Sequence, residues 1–135
     1  MNVTGIIEKG EDGRFSIICN QEIGSFCLGG FGDSVEEAKA DFNSVIQEAQ
    51  AEYVKENGDL PQKYQGIKVS YKYDLVAFFN YFDWINISKF AKVAGINESK
   101  MRQYKTGSAF AGEKTKQKVQ LAIKRMSAEL ASASL

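Results

Sequence analysis

Ser99, Arg102, Gln103 and Thr106 follow one another at spacings of three, one and three residues. At about 100° per residue in a helix they collect on one side, away from Met101 and Tyr104. Hydroxyl, guanidinium and carboxamide groups in such a row suit hydrogen bonding to the edges of stacked bases. Arg102 can fork onto guanine O6 and N7, Gln103 can pair with adenine N6 and N7, and Ser99 can adapt to several bases. Cations flank the row. Lys100 and Lys105 lie on its margins and, with Lys89 and Lys92 upstream, are placed to hold phosphates. Ser88 adds a hydroxyl near the start of the preceding segment. The DNA-contacting set expected from these types and spacings is Ser88, Lys89, Ser99, Lys100, Arg102, Gln103, Lys105 and Thr106.

Such a row works only if two helices present it, and residues 87–106 fit the twenty positions of a helix-turn-helix. Phe90, Ala94, Ile96, Met101 and Tyr104 fill the five places that face the core, and Ala91 is the small residue needed where the helices touch. Gly95 is the turn glycine, where a positive φ is inexpensive. Asn97 is a natural N-cap for the second helix and Gly107 a natural terminator. The competing reading is a purely structural helical hairpin. Downstream, GEKTKQKVQLAIKRMSAEL is expected to be helical, with Val119, Ile123, Met126 and Leu130 forming a stripe that closes the small core or meets its counterpart in a dimer. Lys114, Lys116, Lys118, Lys124 and Arg125 are expected on its solvated side. ASASL reads as a frayed end. Upstream, Asp74 caps an expected helix through LVAFFNYFDWI, whose apolar residues are too widely spread for one buried stripe. That excess predicts a second packing partner, another subunit or the N-terminal domain.

The net charge of zero conceals a division. Residues 1–85 hold 7 Lys and Arg against 14 Asp and Glu, a net −7; residues 86–135 hold 10 against 3, a net +7. A basic block points to a polyanion, because cations beside phosphates release condensed counterions.

The acidic half shows α+β patterning. VTGIIEKG and RFSIICNQ flank Glu11-Asp12-Gly13, a hairpin signal, with Phe15, Ile17 and Cys19 on one face of the second strand. A third strand is expected in GSFCLGGFG, where four glycines blur its limits. Ser34 and Glu37 then form a capping box. Val35, Ala38, Phe42, Val45, Ile46, Ala49 and Tyr53 recur at helical spacing to about Lys55. NGD and Pro61 stop that helix, and Ile67, Val69, Tyr71 and Tyr73 alternate with Lys68, Ser70 and Lys72 as in a half-buried strand. The expected layout is a small antiparallel sheet of three to four strands with one packed helix over residues 1–73, followed by an all-α domain over 74–135.

Catalysis finds little support in these residues. Glu11, Asp12, Asp33, Glu36, Glu37 and Asp41 are candidates for an acid/base pair or a magnesium site, but a turn, a helix N-terminus and a capping box already account for them. There is no histidine, no nucleophile motif and no phosphate loop. No enzymatic role, cofactor or metal is expected. Cys19 and Cys27 are expected as reduced, mostly buried strand thiols. No apolar run reaches the ~20 residues of a membrane span, and MNVTGIIEKG lacks the basic start and apolar stretch of a secretion signal, so a cytoplasmic location without membrane contact is expected.

Taken together, the two halves resemble the HicB antitoxin family of bacterial toxin–antitoxin pairs over nearly the whole chain. The marks are EDGRFSI at the hairpin, GDSVEEA at the helix entry, NGDLP at its exit, and a last strand followed by a DNA-binding segment. Between Cys19 and Cys27 the chain carries CNQEIGSFC, where members usually have a Pro-Asp-Leu-Pro-Gly-Cys-like stretch. The resemblance implies a partial RNase-H-like fold without catalytic carboxylates and the masking of a small basic HicA-type toxin that cleaves mRNA. It also implies repression of its own operon through double-stranded operator DNA; the widely spread apolar residues of LVAFFNYFDWI add the expectation of a homodimer or higher oligomer. The alternative is a stand-alone transcriptional regulator whose N-terminal domain senses a ligand or dimerises.

Overall fold

The computed structural model describes residues 1–135. Four strands and five α-helices follow in the order β1 (Asn2–Lys9), β2 (Phe15–Ile23), β3 (Phe26–Gly32), α1 (Val35–Asn57), β4 (Lys68–Tyr73), α2 (Leu75–Tyr81), α3 (Ile87–Ala94), α4 (Glu98–Thr106) and α5 (Glu113–Ser132). The chain divides into two compact units, Met1–Tyr81 and Phe82–Leu135. No helix is long and apolar enough to cross a membrane.

The first unit is α+β. Its sheet runs β3-β2-β1-β4. The hairpins β1–β2 and β2–β3 are antiparallel, but β4 lies parallel to β1, pairing Val3 with Val69 and Ile7 with Tyr73. The sheet is therefore mixed and not antiparallel as expected. The reason is topological: a 23-residue helix between β3 and β4 returns the chain to the starting end of the sheet, and a crossover of that length permits a parallel neighbour.

Alternation decides which face is covered. Val3 and Ile7 of β1, Phe15 and Ile17 of β2, and Leu28 of β3 are buried together with Val35, Ala38, Phe42, Ile46 and Ala49 of α1. Gly5, Gly30 and Gly32 fall on the same face and are buried too. A Cβ on Gly32 would stand 2.5 Å from the amide nitrogen of Ala38, and one on Gly30 would stand 2.7 Å from the Ala38 carbonyl oxygen. The glycines that blurred β3 in the sequence are where α1 approaches the strand most closely.

Local chemistry sets the ends of α1. The Ser34 hydroxyl accepts from the Glu37 amide at 3.1 Å, while the Glu37 carboxylate reaches back to the amide of Asp33 at 2.9 Å. The reciprocal contact is thus made one residue before the cap, to an amide outside the helix. Gly58, at φ 91°, closes the other end by donating to the Val54 carbonyl.

Two sequence expectations change at the junction after β4. Asp74 does cap a helix, its carboxylate accepting from Ala77 at 2.6 Å and from the Lys9 amide at 3.2 Å. That helix stops at Tyr81, however, and does not run through Ile85; the Ile85 amide closes a turn onto the Phe82 carbonyl. The division between units also falls at Tyr81–Phe82 and not at 73–74. α2 packs against β1, β4 and α1, and its terminal Tyr81 joins Tyr71 and Tyr73 around the Lys39 ammonium, which lies 4.0 Å from the Tyr81 ring centroid. With these limits the first unit carries 7 Lys and Arg against 13 Asp and Glu, and the second 10 against 4, so the opposition of charge persists at −6 and +6.

Both cysteines are free thiols in strands, but only Cys19 is partly covered; Cys27 is exposed because it points to the open face of the sheet with Phe31.

The second unit is all helical, α3 packing on both α4 and α5. Its buried residues are Phe90, Ala91, Ala94, Met101, Tyr104, Val119 and Ala122. Ile96, expected in the core, is half-buried in the turn. On α5, which packs on α3, the buried stripe is Val119 and Ala122, with Ile123 and Met126 half-buried and Leu130 exposed.

Candidate nucleic-acid interface

Two asparagines start the helices that carry the polar row. The Asn86 carboxamide oxygen accepts from the Lys89 amide at 3.0 Å and that of Asn97 from the Lys100 amide at 3.1 Å. Each occupies a donor that the first helical turn leaves unpaired. Between them Gly95 adopts φ 69°, ψ 35°, the left-handed conformation a side chain would resist, and the Ile96 amide returns to the Ala91 carbonyl at 2.9 Å. Gly107, at φ 84°, ends α4 in the same way.

This turn fixes which side of α4 is covered. Met101 and Tyr104 are buried; Ser99, Lys100, Arg102, Gln103, Lys105 and Thr106 are all exposed. The row expected from the sequence is therefore brought together on one open face, with Lys89 and Lys92 exposed on α3.

Ser88, Arg102 and Thr106, three of the candidate residues, have other engagements. Ser88 is half-buried and its hydroxyl donates to Glu98 Oε1. The same oxygen accepts from Arg102 Nη2 at 2.6 Å. Glu98 is thus the hub of a three-residue cluster that bridges α3 and α4, and it was absent from the expected set. Its signal was present, since a glutamate four residues before an arginine is a favourable helix pair. The Ser88 hydrogen bond, followed by the charges of Arg102 and Lys92, lowers the Glu98 carboxyl below its usual pKa despite partial desolvation, keeping it ionised. An exposed ion pair of this kind adds little to folding stability, so its interest lies in orientation. Thr106 turns onto the main chain, donating to the Gln103 carbonyl at 3.2 Å, with its hydroxyl 3.1 Å from that of Ser108.

Three acidic residues of the first unit are engaged within that unit. Asp33 pairs with Arg14 at 2.9 Å, Asp12 accepts the Arg14 amide at 2.9 Å, and Asp41 accepts the amide of Phe31 on the edge strand at 2.8 Å. The sequence did not reveal the Lys39 cluster, whose members come from α1, β4 and α2. Lys39 donates to the Tyr73 hydroxyl at 2.6 Å, and burial raises the Tyr71 and Tyr73 phenols above the usual tyrosine value.

Compared with known protein families, curated proteins and solved structures, the chain matches none of them. The turn between β1 and β2 carries Glu11 and Asp12. There Phe31 is 64% exposed, beside a groove lined by Glu11, Asp12, Arg14, Phe15 and Ser16.

Proposed function

We propose that the protein is an antitoxin and autorepressor: the helical unit binds operator DNA as a helix-turn-helix, and the sheet unit binds and neutralises a small basic HicA-type toxin that cleaves mRNA. The observation that carries the DNA half is the left-handed Gly95 turn, which buries Met101 and Tyr104 and leaves Ser99, Arg102, Gln103 and Thr106 exposed together. A second helix of this kind enters the major groove with its polar side toward the bases, while lysines at its margins meet phosphates. The net +6 of this unit supports a polyanion as its ligand.

The toxin half is supported by the HicB resemblance, by a small sheet with α1 packed along it and the short α2 beside α1, in keeping with a partial RNase-H-like layout, and by the net −6 that complements a basic partner. Exposed Leu121 and Leu130 on α5 support a homodimer or higher assembly.

The DNA reading is tested by comparing binding to a selected site and to random duplex. Arg102→Ala is expected to cost about 1–3 kcal/mol on the selected site and to relax the base preference at one position. Lys105→Ala is expected to weaken all sequences alike and to flatten the salt dependence by about one unit of slope. Equal loss on both DNAs for the arginine change would remove Arg102 from the base-reading set. Two protected half-sites spaced by about 34 Å, or a multiple of it, would report a dimer. Neutralisation is tested by co-expression with a small basic protein from the neighbouring reading frame; growth arrest that this chain fails to relieve would refute it.

A further inference from the structure

Glu98 is out of place on a surface built to meet phosphates. It is the only acidic residue in α3 or α4, and it stands at the first position of the helix that carries the polar row. A carboxylate there opposes every phosphate that approaches, on any sequence. The helix N-terminus and the i,i+4 partner would favour a glutamate at this position by themselves, but neither accounts for the bond from Ser88. That bond ties the carboxylate to α3. Because one oxygen, Oε1, accepts both the Ser88 hydroxyl and Arg102 Nη2, the guanidinium is anchored to a group fixed on the neighbouring helix.

An arginine has several rotatable bonds, and ordering them on binding costs entropy. Holding Arg102 in place beforehand reduces that cost for the one base position its fork can reach. The bond to Glu98 uses one N–H of the fork and leaves the others for a base. We propose that Glu98 is a specificity-determining residue: with Ser88 behind it, it positions Arg102 for base reading, at the expense of affinity for DNA in general. This inference rests on the DNA-binding reading above.

The test measures affinity for the selected site and for random duplex at one fixed salt concentration, with base preference determined at every position of the site. For Glu98→Ala the ratio of selected to random affinity is expected to fall about tenfold, within the range one arginine–guanine contact supplies. The loss should fall on the base pair that Arg102→Ala also relaxes, while random DNA binds more tightly because a negative charge has left the surface. Glu98→Gln, which keeps an acceptor, is expected to retain most of the ratio, and Ser88→Ala to lose part of it. In Glu98→Ala/Arg102→Ala the two losses of ratio should not add. A Glu98→Ala protein with the wild-type ratio and base preferences would overturn the proposal while leaving the DNA-binding reading intact. Wild-type protein without sequence preference would overturn both. Loss of ratio at positions unrelated to Arg102 would also count against positioning, since a general disturbance of α4 would produce it.

Discussion

Gly32→Ala is expected to destabilise the sheet unit by about 3 kcal/mol, the upper part of the usual range for overpacking a well-packed interior. The added methyl would stand 2.5 Å from the Ala38 amide nitrogen and 2.6 Å from Glu37 Cβ, contacts that no side-chain rotation relieves because they belong to the start of α1 itself. Relief requires α1 to lift from β3. That movement would reduce the packing around Phe42, which is fully buried, and draw the Asp41 carboxylate away from the Phe31 amide. It would also reopen a donor on the edge strand, where an unpaired amide invites pairing with another chain. Gly29→Ala provides the comparison: it lies on the same strand but on the opposite face, where the added methyl meets only the Ile17 carbonyl, at 3.2 Å. Urea unfolding followed by hydrogen exchange at β1 and β2 amides should show a much larger loss for Gly32→Ala than for Gly29→Ala. Equal midpoints would mean that α1 does not depend on glycine at that contact.

These glycines also explain where sequence reading ran out. Strands β1, β2 and β4 were legible because their apolar residues alternate with polar ones, and α1 because its apolar residues recur at helical spacing from a capping serine. β3 was less so, since a strand needing Gly30 and Gly32 under a helix has no side chains there to display its period. The direction of β4 was not legible, because alternation looks alike in parallel and antiparallel pairs and only the path of the chain through α1 distinguishes them. The end of α2 was misplaced for a related reason: LVAFFNYFDWI is apolar but for Asn80 and Asp83 and contains neither Pro nor Gly, while the structure ends the helix where Tyr81 joins the Lys39 cluster.

The polar row on α4 was legible because helical geometry alone sorts exposed from buried positions once Gly95 and the two asparagine caps are recognised. Its wiring was not. The role of Ser88 depends on how α3 and α4 pack, which brings residues ten positions apart within hydrogen-bonding distance, and no periodicity reports such a contact. A list of residue types assigns Ser88 and Arg102 separate tasks; the structure joins them through Glu98.

Phe90→Ala is expected to abolish DNA binding at low and high salt alike. The helical unit spans only 82–135 and, among its buried residues, just Phe90, Met101, Tyr104 and Val119 are larger than alanine. A unit this small buries a limited share of its surface, and its stability is of order 3–8 kcal/mol by the usual figure per residue. Removing a phenylalanine side chain from such a core costs about 3–5 kcal/mol, comparable with the whole. Phe90 is 1% exposed on α3, the helix against which α4 packs, so its loss should free α4 from the arrangement that separates its buried side from its polar side. The expected result differs in kind from that of Arg102→Ala, which leaves the fold and the lysines intact and therefore leaves binding to random DNA. Circular dichroism should show lost helix in Phe90→Ala and none lost in Arg102→Ala. A Phe90→Ala protein that keeps its helical signal and its selectivity would show that the polar row does not depend on this core, and would weaken the argument from burial to base reading.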